Sequence, residues 1–116
     1  MRDEVKELDI TKLPLNIITN IHTSNQKGVH HNAIHIDKNN NKYFFDSYGL
    51  PPVDEILNKL GKNDFTYSTL ILQNFGFAYC GQLSLYILYK LNDEENPNFV
   101  KTVLNARKGL KELNYI

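Results

Sequence analysis

The chain has 116 residues, 41% of them hydrophobic, with thirteen basic residues balancing thirteen acidic ones and a single cysteine. That length buries one core but not two, so a single domain spanning 1–116 is expected. The balanced charge argues against a nucleic-acid or membrane-surface role, and the longest apolar run, "LSLYILY", is far short of the roughly 20 residues that cross a bilayer.

The opening "MRDEVKELDI" lacks the basic-then-apolar order of a secretory leader, which with the lone cysteine predicts an intracellular protein. One turn of helix is expected around Val5 to Leu8. "LNIITNI", Leu15 to Ile21, is rich in β-branched residues and predicts a strand, and "HTSNQKG" a loop. In "HNAIHID" the side chains alternate. His31, Ala33, His35 and Asp37 fall on one face, and His30, Asn32, Ile34 and Ile36 on the other. The Asn-rich "DKNNNK" turns the chain back into "YFFD", completing a hairpin that ends at Asp46.

"SYGLPP" stops that strand, and the prolines with Asp54 and Glu55 behind them open a helix, "VDEILNKL", closed by Gly61. "FTYSTLILQ" predicts a further long strand. From Cys80 an apolar helix begins, with Leu83, Tyr86, Ile87 and Leu91 at helical spacing; Tyr86, Tyr89 and Leu91 are read as packing residues. Asn96 and Pro97 start a last helix whose apolar stripe is Phe99, Val100, Val103, Leu104, Arg107 and Leu110. The fold class that results is α+β: a small, mainly antiparallel sheet packed against helices, with the cysteine helix central.

A cysteine in the first turn of a helix sits among unpaired backbone N–H groups, which favour its thiolate. Most lone cysteines are small core residues instead, so position alone does not make Cys80 a nucleophile. Thiol proteolysis also needs a histidine to move a proton, a carboxylate or amide to orient it, and donors for the oxyanion. His30 and Asp46 lie at the same end of the expected hairpin, and Gln73 at the end of the following strand could place its amide near the Cys80 N–H.

The order "GVHHNAI", "YFFDSYG", "LQNFGFAYCG" resembles the adenovirus maturation protease (adenain) family, and more loosely the SUMO-specific Ulp proteases that share its fold. That family carries G-x-H-W, then an aromatic-D/E-x-aromatic-G segment, then Q-x6-C-G, and the likeness covers about Leu15 to Leu91. The resemblance implies an adenain/Ulp-like core with His30 as general base, Asp46 as its orienting acid, Gln73 in the oxyanion hole and Cys80 as nucleophile. Tyr48 and Gly49, and Gly76 and Phe77, would border the substrate cleft, although a packed turn and plain core residues are equally good readings of these positions.

Two departures matter. His31 stands where the family has tryptophan, so His30 and His31 compete for the role of base; His30 is preferred because Ala33 follows it by three residues, as in the family's H-W-x-A. Cys80, being the sole thiol, cannot form the disulfide to an activating peptide known in that family, and no cofactor is expected. His31, His35 and Asp37 share a face, but residues four apart on a strand are about 13 Å apart, so no metal site is expected.

The expected activity is that of a cysteine endopeptidase cutting after small residues, often glycine. Its expected partners are protein or peptide substrates, namely capsid precursors of a DNA virus or of a related element such as a virophage or Maverick-type transposon. A monomer working in the host cytoplasm or virus factory, or packaged in the virion, is expected, with no membrane partner and no dependence on nucleic acid beyond what the family analogy suggests. Two alternatives stand beside it: a protease that removes ubiquitin-like modifiers, and a catalytically silent peptide-binding module.

Overall fold

A computed structural model describes residues 13–20, 30–61, 65–72, 80–93 and 97–113, with the backbone alone at positions 20 and 80. The expected helical turn near Val5, Ile21, the loop 22–28, Gln73, Gly76, Phe77 and Asn96 lie outside the described residues.

The described chain forms an α+β fold with a four-stranded sheet, β1 (Leu15–Asn20), β2 (His31–Ile36), β3 (Lys42–Asp46) and β4 (Phe65–Tyr67), in that order. Three helices accompany it: α1 (Asp54–Leu60), α2 (Cys80–Asp93) and α3 (Phe99–Glu112). β1, β2 and β3 pair antiparallel in sequence, as the alternating pattern requires. The β2–β3 turn explains its composition: Asp37 Oδ1 accepts the backbone N–H of Asn39 and Asn41, and Asn40 takes the left-handed conformation at φ 65° that asparagine tolerates.

β4 differs from expectation. Of the strand expected over 65–73, the described residues 65–72 do not form one long strand: Phe65–Tyr67 joins the sheet and runs parallel to β3. A parallel return needs a crossover, and α1 supplies it. The sheet is therefore mixed. Residues 68–72 leave the ladder, and Leu72 instead donates its backbone N–H to the Ser47 carbonyl at 2.7 Å.

Both faces of the sheet are covered. Ile34, Ile36 and Phe44 pack with Ile56 and Leu60 of α1, while Ala33 and Phe45 pack with Leu83, Ile87 and Leu91 of α2 and Phe99, Val103 and Ala106 of α3. Strands buried on both sides explain why β2 reads as five consecutive buried residues despite its polar alternation.

The helices correct several expectations. Val53 caps α1 rather than joining it, and Gly61 closes the helix with φ 102°. Of the residues of α2 expected to pack, Leu91 is buried, but Tyr86 is 40% and Tyr89 61% exposed, and Leu85 is exposed too. Lys90 Nζ lies 5.8 Å and 6.0 Å from the two tyrosine rings, so a cation rather than the core covers them. α3 starts after Pro97, not at it, because Asn98 is the cap and its side chain accepts the Lys101 N–H at 3.0 Å. Its buried face is Phe99, Thr102, Val103 and Ala106, whereas Val100 and Leu104, two of the six residues of the expected stripe, face outward.

Candidate active site

The hairpin register sets Asn32 opposite Asp46, which leaves His30 just beyond the first ladder residue of β2 on the parity of Asn32. From there His30 Nε2 meets Asp46 Oδ2 at 2.9 Å. The pair is shielded, with His30 only 4% and Asp46 1% exposed. In so dry a setting an imidazole–carboxylate bond is strong and its geometry well defined. The second carboxylate oxygen, Oδ1, accepts the backbone N–H of Tyr48 at 2.8 Å. With Nε2 committed to the acid, the imidazole has Nδ1 left for proton exchange.

The turn after β3 holds this pair. Gly49 donates its N–H to the Asp46 carbonyl at 2.9 Å and adopts φ 74°. A Cβ there would stand 2.5 Å from the Thr69 carbonyl oxygen, so glycine is required both for its conformation and for the close approach of segment 68–72. The Ser47–Leu72 hydrogen bond belongs to the same contact and ties the residue before Gln73 to the residue after Asp46. The Tyr48 ring stacks on the His30 imidazole with centroids 4.3 Å apart and planes 14° from parallel.

α2 begins at Cys80, and its second residue, Gly81, faces β2: a Cβ there would lie 3.7 Å from His31 Nδ1. The helix start and the two adjacent histidines thus occupy one end of the sheet, with His31 against α2 and His30 against Asp46. Of the residues singled out in the sequence, His30, Asp46, Tyr48 and Gly49 come together directly. Cys80 begins α2, whose second residue Gly81 lies against His31, and Gln73, Gly76 and Phe77 are outside the described residues.

Some polar residues of this neighbourhood were not singled out. Thr19, Asn32 and Asp46 form a buried row across β1, β2 and β3, and among the described residues Thr19 Oγ1 and Asn32 Oδ1 have no hydrogen-bond partner. The only available signal was Asn32 sharing a face with Ile34 and Ile36, where an apolar residue would be expected. Ser84, fully buried one turn into α2, likewise has an unpartnered Oγ.

The other described histidine of β2 is structural. His35 Nδ1 binds Asn16 Oδ1 at 2.7 Å, and that same oxygen accepts Asn92 Nδ2 at 2.7 Å, so the ring nitrogen is the donor. Burial pushes its pKa down from the ordinary histidine value, only partly opposed by the nearby Asp37 carboxylate. His35 lines a polar cavity of about 490 Å³ with Asp37, Tyr43 and Asn92, and of the described candidates neither His30 nor Asp46 borders it. Among the described residues no group of three or more His, Cys, Asp or Glu side chains is placed to hold a metal ion.

Comparison with family models, curated proteins and solved structures finds no match to this chain.

Proposed function

We propose that the chain is a cysteine endopeptidase of the adenain type that acts by acyl transfer. The observation that carries the proposal is the buried His30–Asp46 pair, bonded through Nε2 at 2.9 Å, at the end of the sheet where α2 starts with Cys80. Asp46 bonds His30 directly, which favours His30 as the base. The structural alternative, a polar pair that only ties two strand ends together, leaves the motif order and the position of Cys80 at a helix start unexplained.

In the proposed reaction, His30 Nδ1 takes the Cys80 thiol proton and the thiolate attacks a substrate carbonyl carbon. The Cys80 N–H and the Gln73 amide stabilise the oxyanion. As the tetrahedral intermediate collapses, the C–N bond breaks and His30 returns its proton to the leaving amine. Water, deprotonated by the same nitrogen, then attacks the thioester and releases the acid. Asp46 keeps the imidazole in the required tautomer and favours the imidazolium formed on the way. Substrates cut after small residues, and capsid precursors as their source, rest on the resemblance alone.

The test is alkylation of the folded protein by dilute iodoacetamide across pH, comparing wild type with His30→Ala. Rapid reaction of Cys80 well below pH 8 that disappears without His30 supports an activated thiolate. A thiol that stays inert until the protein unfolds would make Cys80 a core residue and leave the peptide-binding module as the better reading.

A further inference from the structure

We propose that the polar cavity at the turn end of the β2–β3 hairpin is a binding site for an organic cation, an ammonium or guanidinium group. It lies at the opposite end of β2 from His30 and stands apart from the acyl-transfer reading. Its volume of about 490 Å³ falls within the roughly 300–1,000 Å³ of small-molecule sites. The lining runs from buried His35 and Leu91 to the exposed turn residues Lys38, Asn39 and Asn41.

The donors around this cavity are largely taken, and its acceptors are not. His35 gives its Nδ1 proton to Asn16 Oδ1, and burial, only partly opposed by the Asp37 carboxylate, keeps the ring neutral. Nε2 is therefore a lone pair on a side chain of a residue only 4% exposed, and it has no hydrogen-bond partner among the described residues. Asn92 Nδ2 has both hydrogens committed, to Asn16 Oδ1 at 2.7 Å and to the Leu88 carbonyl at 2.6 Å. The backbone N–H groups of Asn39 and Asn41 and the Asn41 side-chain amide all donate to Asp37. Pro14 and Pro97, also in the lining, have no N–H, and the Tyr43 hydroxyl can accept as well as donate. A ligand that satisfies Nε2 must bring the donor itself.

Charge then selects among donors. Burial works against the Asp37 carboxylate, but the hydrogen bonds from Asn41 and Asn39 prevail and hold its pKa below 3.8, so it is ionised at neutral pH. The last turn of α2 borders the cavity at Leu91 and Asn92, and the carbonyl end of a helix also favours positive charge. At the start of α3 the Lys101 N–H is already bound by Asn98. Lys38 opposes a cation. It is exposed, however, and its long side chain can carry the ammonium out into water, whereas Asp37 is fixed by the turn.

The experiment follows the backbone amide and histidine C–H resonances of the full chain by NMR at neutral pH as butylguanidinium is added, and then butylurea, its neutral isostere. Butylguanidinium should shift the His35 ring and the amides of 37–43 saturably. Butylurea should bind at least about tenfold more weakly, as loss of a charged donor implies. Asp37→Asn removes the charge but keeps an oxygen for the Asn39 and Asn41 N–H groups, and should weaken butylguanidinium by a similar factor. Lys38→Gln should tighten it, where a site for anions would weaken toward cations no further and lose its own ligand.

A blocked pentapeptide with arginine at its centre separates the two sources of such a cation. Binding as tight as that of butylguanidinium assigns the site to a protein side chain, and exclusion of the peptide assigns it to a small free cation. Should Asp37→Asn fail to fold, the comparison of butylguanidinium with butylurea in wild type and the Lys38→Gln variant decide alone. Absence of a saturable shift, equal binding of butylurea, or weaker binding in Lys38→Gln overturns the site. None of these readouts involves Cys80, so loss of this site leaves the acyl-transfer reading untouched.

Discussion

His30 and His31 are neighbours in sequence yet serve different surroundings. His30 is held by Asp46 and covered by Tyr48, whereas His31 lies against Gly81 at the start of α2. Under the proposed mechanism, His30→Ala and Cys80→Ser should each lower peptide hydrolysis by on the order of 10³-fold or more, as losses of triad members do. His31→Ala should retain most of the activity; the reverse order for the two histidines, measured on the same peptide, would overturn the assignment. Gly49 allows a test of the turn that is independent of catalysis. Its φ of 74° costs an L-residue about 1–2 kcal/mol, and the Cβ would also meet the Thr69 carbonyl at 2.5 Å. Gly49→Ala should therefore destabilise the protein by at least about 2 kcal/mol in urea unfolding. At this scale the sequence was informative about residue types and order. It carried no sign of the stack, because the 14° between two rings depends on a backbone turn fixed by segment 68–72.

Among the elements, α3 shows where periodicity reached its limit. Its apolar positions cover more of the helix than one neighbour can bury, and spacing alone did not indicate which part meets the core. α2 and the sheet take Phe99, Val103 and Ala106, and leave Val100 59% and Leu104 47% exposed. Val103→Ala should cost about 2 kcal/mol through lost burial and a residual cavity, while Leu104→Ala should stay within about 0.5 kcal/mol. Thermal unfolding would resolve the two, since 1 kcal/mol moves the midpoint by roughly 4 °C in a domain of this size. Comparable losses in both variants would mean the face is drawn wrongly. The strand expected over 65–73 misled for a related reason. β-branched and aromatic residues suit any half-buried segment, and "STLIL" runs beside the Ser47 turn without pairing in the sheet.

At the scale of the whole molecule, a sheet covered on both faces buries polar groups that an open sheet would leave wet, and His35 is the clearest case. Its pKa is depressed by burial, so the folded state prefers the neutral ring and the unfolded chain binds the proton more readily. The stability this brings is fully present above the ordinary value of 6.5 and is lost as pH falls below it toward the lowered folded value. Asp37 adds a loss at lower pH. Partial burial raises its carboxyl, but hydrogen bonds from the Asn41 side chain and from the Asn41 and Asn39 backbone prevail and hold it below the usual value of 3.8. The unfolding free energy from urea titrations should thus decline from pH 7 to pH 5 with a slope of at most about 1.4 kcal/mol per pH unit for one proton. His35→Gln should flatten that slope, and an unchanged slope would place the titrating group elsewhere.

Local chemistry written along the chain was enough to determine the α+β class, the β2–β3 hairpin with its asparagine turn, the helix that starts at Cys80 and the pairing of His30 with Asp46. Hairpin register, turn propensity and helix periodicity act over a few residues and leave their mark in a few residues. Only the tertiary structure decided that β4 returns parallel to β3, that α1 covers the opposite face of the sheet from α2 and α3, which side of α3 is buried, and that Tyr48 closes over His30. Those outcomes depend on which distant surfaces compete to leave water. That competition is settled by the summed burial of many side chains from separate segments, and no short stretch of sequence records its result.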